Sequence, residues 1–181
     1  MKKLIALVMA CLLLLSLCAC ESSPSLVGTT PTGNNGNNTS TKATSAPSEK
    51  TFKVGDVVEL NDVVVSFIGV TETTGSEYFG PEDGNIYVLC EFEITNNSKE
   101  ELAISSIMSF KAYCDDYSCD YSLGALMDKG NKDQLDGSIA PGKKMKGVVG
   151  YEIPTDWKEL EIHFTANILS TNSIIFVATN S

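Results

Sequence analysis

The chain has 181 residues, with 13 cationic side chains, all of them lysine, against 23 Asp and Glu, for a formal net charge of -10. Nucleic acid is bound by clustered Lys and Arg, so an acidic chain without arginine is excluded as a nucleic-acid partner. One histidine and no arginine also leave few groups for acid–base or phosphoryl chemistry.

Residues 1–19 have the layout of a secretory signal. Lys2-Lys3 precede an apolar run from Leu4 to Leu17, and small Ala19 stands just before a cysteine. The run is short of the roughly 20 apolar residues that a membrane span needs. Leu17-Cys18-Ala19-Cys20 resembles the lipobox of bacterial lipoproteins, in which the final cysteine takes a diacylglycerol. Cys18 fits worse, because bulky Leu17 would fill the small-residue position. Cys20 is therefore the expected lipidation site. The palmitate-type chains of such an anchor hold stably in pairs, where a single chain binds marginally. The expected location is extracytoplasmic, lipid-anchored at the cell membrane; an uncleaved N-terminal anchor is the alternative. Cleavage would remove Lys2 and Lys3 and leave all 23 acids in place.

Residues 20–50 read as the lipidated cysteine and a flexible linker. From Glu21 to Lys50, 22 of 30 residues are Ser, Thr, Asn, Gly or Pro, and Leu26 and Val27 are the sizeable aliphatics. Such a stretch buries too little apolar surface to offset its ordering entropy.

Residues 51–181 form the expected domain. Val57–Leu60 and Val63–Glu72 flank Asn61-Asp62, a tight-turn pair. In Asn85–Thr95 the period is two: Val88, Cys90, Phe92 and Ile94 face one way, and Leu89, Glu91 and Glu93 the other. The acids mark the water side, so the Cys90 side is core. Phe110, Ala112 and Cys114 alternate with polar residues in the next run. Ser122–Lys129 has room for one helical turn. After the turns at Asp136-Gly137 and Pro141-Gly142, Met145, Gly147, Val149, Tyr151 and Ile153 alternate with Lys144, Lys146 and Glu152. Leu160, Ile162 and Phe164 repeat the pattern, and Ile174–Val177 is continuously apolar. Val63–Val70 is apolar on both sides and leaves its register open. Seven to nine short, half-polar strands separated by turns predict an all-β, antiparallel β-sandwich.

Several segments together resemble a known family. Phe52-Lys53-Val54-Gly55-Asp56, the strand Asn85–Thr95 with Asn96-Asn97-Ser98 after it, Ser138 through Gly147, and Gly150 through Pro154 follow the order and spacing of DUF4352 domains of bacterial secreted proteins and lipoproteins. The resemblance spans about residues 52–179. It implies an immunoglobulin-like sandwich and brings no activity, cofactor or catalytic residue. Gly147, facing inward in mid-strand, marks a bulge or a close approach between layers.

If Cys20 is acylated, Cys90, Cys114 and Cys119 remain. Cys114 and Cys119 flank a turn-like tetrapeptide and are the expected disulfide, with a loop-entropy contribution of about 2 kcal/mol. Cys90 is expected as a buried free thiol, and Cys90–Cys114 is the rival pairing. No CxxC pair supports zinc. Glu159, Glu161 and His163 share a strand face, but no nucleophile or oxyanion motif accompanies them, so they read as a solvated face. Asp115, Asp116 and Asp120 are weak Ca²⁺ candidates outside any EF-hand register. Trp157 is expected to cap the core. Tyr117 and Tyr121, flanking Cys119, are the expected exposed ligand patch.

No enzyme and no cofactor are expected. The chain reads as a membrane-anchored lipoprotein whose sandwich is a non-catalytic binding or adhesion module for an envelope or extracellular protein or glycan. The alternative is a structural or accessory envelope protein associating with other membrane proteins, with or without a Ca²⁺ site.

Overall fold

The computed structural model describes residues 23–30, 50–76, 78–130, 132–166 and 172–180. Two five-stranded sheets face each other. The first has the order β1 (Ser25–Thr29), β3 (Asp56–Leu60), β4 (Val63–Thr73), β5 (Asn85–Asn96), β10 (Lys144–Pro154). The second runs β2 (Thr51–Lys53), β12 (Ile174–Thr179), β11 (Glu159–Phe164), β7 (Phe110–Cys114), β8 (Tyr117–Cys119). A separate pair, β6 (Leu102–Ile104) with β9 (Gly137–Ile139), and one short helix, α1 (Leu123–Met127), complete the described elements. The architecture is a β-sandwich, as the alternating pattern predicts. It is antiparallel except where β2 runs parallel to β12. The chain leaves β2 and enters β3 in the opposite sheet across Val54-Gly55, where Gly55 takes φ 94.

The alternating residues meet between the sheets. Phe67 and Phe92 from the first sheet stack at 4.6 Å, and the Phe176 ring of the second sheet stands edge-on to both, at 5.6 and 5.7 Å. Offset and edge-on rings at these separations add attraction beyond the area they bury. Cys90, Ile94, Leu160 and Ile162 are fully buried in the same cluster. Trp157 caps it, 4% exposed, with its indole N–H donating to Glu72 Oε1 at 2.7 Å.

Two-residue turns set the registers. Asn61 and Asp62 both take positive φ, at 52° and 61°, the geometry that matches the twist of a tight hairpin. The open register of Val63–Val70 has a cause: β4 carries a bulge between Phe67 and Gly69. Val63, Val65 and Phe67 face the core before it, and Val70 turns toward the core after it. One extra residue shifts the inward set by one, so both faces of the run read as apolar.

Three expectations need correction. Ser25–Thr29, placed in the flexible linker, forms β1, with Ser25 opposite Glu59 and Thr29 opposite Asp56. Thr30 N donates to Gly55 O at 2.6 Å. Leu26 and Val27 remain about half exposed, so backbone pairing rather than burial holds this strand. The strand count is higher than expected, because four of the twelve described strands are only three residues long. The outer face of β5 is not all wet either. Tyr87, Leu89 and Val148 are buried beneath Ala125 and Leu126 of α1, which Ser122 caps by accepting from Ala125 N.

The open edge of β10 is also covered. Tyr121 bridges Tyr151, Ser122 N donates to Gly150 O at 2.8 Å, and Val148 N donates to Asp133 O at 2.8 Å. Covering an edge removes a template for unwanted strand pairing. Gly147 is where this cover presses closest: a Cβ there would lie 2.6 Å from Asp133 O. The approach comes from the covering segment of the same chain, not from the opposite sheet.

Candidate functional site

The strands have two ends. At one lie the Asn61-Asp62 turn, the end of β5 and the start of β10. At the other lie the β4–β5 connection, the β7–β8 turn and the end of β10. A groove of about 710 Å³ opens at this second end.

Its walls come from three places. The β7–β8 hairpin turns at Asp115 and Asp116, with φ 47° and 72°, and then presents Tyr117 and Cys119. The chain continues through Asp120 and Tyr121 into α1, where Leu123 is exposed. The opposite wall is the paired ends of β5 and β10, where Asn85 faces Pro154, together with Glu82 and Asp156 from the flanking turns. Tyr117 is 79% exposed at the rim.

Glu82, Asp115, Asp120, Glu152 and Asp156 line the groove, and among the described residues no lysine does. Some of these carboxylates have structural work. Glu152 Oε1 accepts from Glu82 N at 2.7 Å and Asn85 Nδ2 at 3.1 Å, which ties the two turns together. Asp115 accepts from the backbone of Lys158 and Glu159, at 3.2 and 2.9 Å. The groove is therefore a negative, aromatic-rimmed hollow built on held backbone.

The residues anticipated from sequence divide. Tyr117, Tyr121, Asp115 and Asp120 do converge on this groove. Tyr121 is half-buried, however, and its hydroxyl accepts from Gln134 Nε2 at 2.8 Å, so Tyr117 is the free ring of the pair. Asp116 lies in a separate hollow of about 170 Å³ with His163, Glu159 and Glu161. Among the described residues, no three His, Cys, Asp or Glu side chains are grouped to hold a metal ion. The Ca²⁺ candidates Asp115, Asp116 and Asp120 are thus not brought into one site. His163 Nε2 contacts Glu161 Oε1 at 2.5 Å, and its ring meets Tyr113 edge-on at 5.3 Å, a contact pair along a strand face. Cys20 lies outside the described residues.

The expected Cys114–Cys119 disulfide is absent, as is the rival Cys90–Cys114: all three cysteines are free thiols. The hairpin register gives the reason. Cys119 stands opposite Ala112 and Cys114 opposite Tyr117, so the two thiols are diagonal neighbours on one face. Diagonal Cα pairs sit about 7–8 Å apart, wider than the usual spacing of a disulfide, and here the two thiols are hydrogen-bonded neighbours rather than bonded sulfurs. Burial pushes the Cys90 and Cys114 thiols up, and burial together with the neighbouring Cys114 pushes Cys119 up to about 12. Thiols held protonated are poor nucleophiles. Burial also raises the Tyr151 phenol well above its usual value, beside Cys90 and Cys119.

Sequence reasoning missed the second wall. Glu82, Asn85, Glu152 and Asp156 lie about 70 residues apart in two clusters and meet only because β5 pairs with β10 along its whole length. Turn signals at Gly84 and Pro154 mark both clusters, but not their meeting.

Comparison with known proteins follows the same outline. A family profile described as a domain of unknown function, DUF4352, matches residues 52–174. The chain superposes on YcdA of Bacillus subtilis, assigned as a lipoprotein, at a TM-score of 0.56 and 20% identity, over 66% of this chain and 37% of that one. The chain thus spans little more than a third of YcdA. The yjhA protein of Bacillus subtilis superposes at a TM-score of 0.52 and 16% identity, over 72% of this chain and 99% of that one. Both are likenesses of fold. No curated protein sequence matches the chain.

Proposed function

The chain belongs to the DUF4352 family, and from that premise we propose that it is a non-catalytic binding module, anchored outside the cytoplasm through Cys20, whose acidic groove receives a cationic segment of an envelope or extracellular partner. The single observation that carries this reading is the groove itself: five carboxylates and the exposed ring of Tyr117, with no lysine among the described residues of the lining. An ammonium or guanidinium group entering it meets carboxylates on the walls and a ring face at the rim, and both attract cations. The thiols behind the groove are held protonated and the lone histidine is paired with Glu161, which supports a role without turnover. The lipobox-like Leu17-Cys18-Ala19-Cys20 supports the anchor, and no helix among the described residues is long and apolar enough to cross a membrane.

Calorimetry with a short oligolysine peptide tests the reading, with oligoglutamate as control. Oligolysine should bind, and Tyr117→Ala or Asp120→Asn should each weaken it by about ten-fold. Added salt should weaken it further. Equal heats for the two peptides, or oligolysine binding indifferent to both substitutions, would contradict the proposal.

A further inference from the structure

The position of β1 fixes how the domain meets the membrane. We infer that the end of the sandwich carrying the Asn61-Asp62 turn and the Ile107-Met108 turn rests on the lipid surface, with the acidic groove facing away from it; this rests on the anchoring of Cys20 proposed above.

The argument begins with chain length. Four residues, 21–24, separate Cys20 from the start of β1. Five extended steps of about 3.3–3.6 Å reach at most about 18 Å. Ser25 lies opposite Glu59, so β1 starts at the end of the sandwich where β3 enters its turn at Asn61. The long Ser/Thr/Asn/Gly stretch beyond Thr30 then lies after the point of attachment, between β1 and β2, and adds nothing to the reach from the bilayer. A chain pinned at that point holds this end of the sandwich against the surface.

The chemistry of that end agrees. Ile107 and Met108, 65% and 58% exposed, stand side by side in one turn, beside a groove of about 600 Å³ lined by Leu60, Val63, Leu102 and Ile104. Paired large apolar side chains at a tip are what an interfacial contact needs, since they enter the headgroup boundary by about 5–10 Å. Asp62, Glu100 and Glu101 share this end with Lys99 and Lys143, so the contact is apolar, and zwitterionic lipid suits it. The Tyr117 groove lies at the opposite ends of the same strands, which leaves it open to a partner outside.

Tryptophan fluorescence of the full acylated chain in phosphatidylcholine vesicles doped with doxyl-lipid tests this. Trp157, buried at the far end, serves as the internal reference. Met108→Trp should add an emission component quenched at least about two-fold, whereas Tyr117→Trp should add one that the doxyl-lipid leaves unchanged. Neighbouring strand residues alternate in direction, so a Leu26→Pro/Val27→Pro double variant removes a β1 ladder N–H whichever of the two faces β3. In that background the Met108→Trp quenching should fall while the protein stays on the vesicles and Trp157 emission reports an intact core. Unquenched Met108→Trp, or equal quenching at Tyr117→Trp, overturns the orientation while leaving the anchor standing. A mass still beginning at Met1, without acyl chains, overturns the anchor and the orientation together. A blue shift of Met108→Trp that grows with protein concentration in lipid-free detergent would seat a second copy on this end and overturn the lipid contact.

Discussion

Glu91 shows how one side chain fastens a segment far away in sequence. It sits on the outer face of β5, where Lys132 of the covering segment and Lys146 of β10 reach its two oxygens at 2.6 and 3.0 Å. Burial works to raise its carboxyl, but the two ammonium groups outweigh it and hold the group below the usual carboxylate range. A depressed folded value stabilises the fold above the unfolded value of about 4.3, and that contribution is lost as the pH falls through the folded value. Glu91→Gln should therefore cost about 0.5–1 kcal/mol at neutral pH in urea unfolding. The difference from the parent should shrink below about pH 4. A cost that persists unchanged in acid would show that the ion pairs contribute nothing. The acid was legible in sequence as the water-facing member of an alternating strand, but its two lysine partners were not, because neither is local. Asn96 is similar: in the sequence it stands just past the alternating run Asn85–Thr95. In the fold it is fully buried, donates to Glu100 O and Ile139 O, and accepts from Ser98, so it bolts a loop as well as ending a strand. Cys114 and Cys119 failed as a pair for a related reason, since sequence spacing sets proximity but hairpin register sets the offset.

At the scale of elements, period-two alternation was enough for β5, β7, β10 and β11, each of which has one face in the core. It was silent on the three-residue strands, which are too short to show a period, and on β1, whose side chains stay half exposed. It misled at β4, where a bulge swaps the inward face. The cover over β10 lay in a part of the sequence that reads as turns. Gly147 was a visible trace of it, legible as a bulge or a close approach between the layers, whereas the approach is to the covering segment. Gly147→Ala should force the Asp133 backbone away and cost about 1–3 kcal/mol in thermal or urea unfolding. Gly142, at φ 72 with nothing near its Cβ position, is a control whose change to alanine carries backbone strain without a clash. If Gly147→Ala is neutral, the covering segment does not press on β10 as described.

Over the whole molecule, the sandwich separates two chemistries along its strands. The end where β1 starts shows the adjacent apolar side chains Ile107 and Met108, and the opposite end gathers carboxylates and tyrosine, with Phe79 and Leu123 also exposed there. The fold was legible because burial of one face per strand imposes a period. The groove was half legible, since its hairpin wall is local in sequence, and half hidden, since its other wall depends on β5 meeting β10. Net charge of -10 is a property of composition, but the gathering of five carboxylates around one hollow, with no lining cation among the described residues, is a property of the fold. The most direct test is a backbone amide chemical-shift titration of the protein with oligolysine. Shifts confined to Glu82, Asp115, Tyr117, Asp120, Tyr121 and Glu152 are the predicted result. Shifts centred on the Asn61-Asp62 and Ile107-Met108 turns, or none at millimolar peptide, would contradict the account.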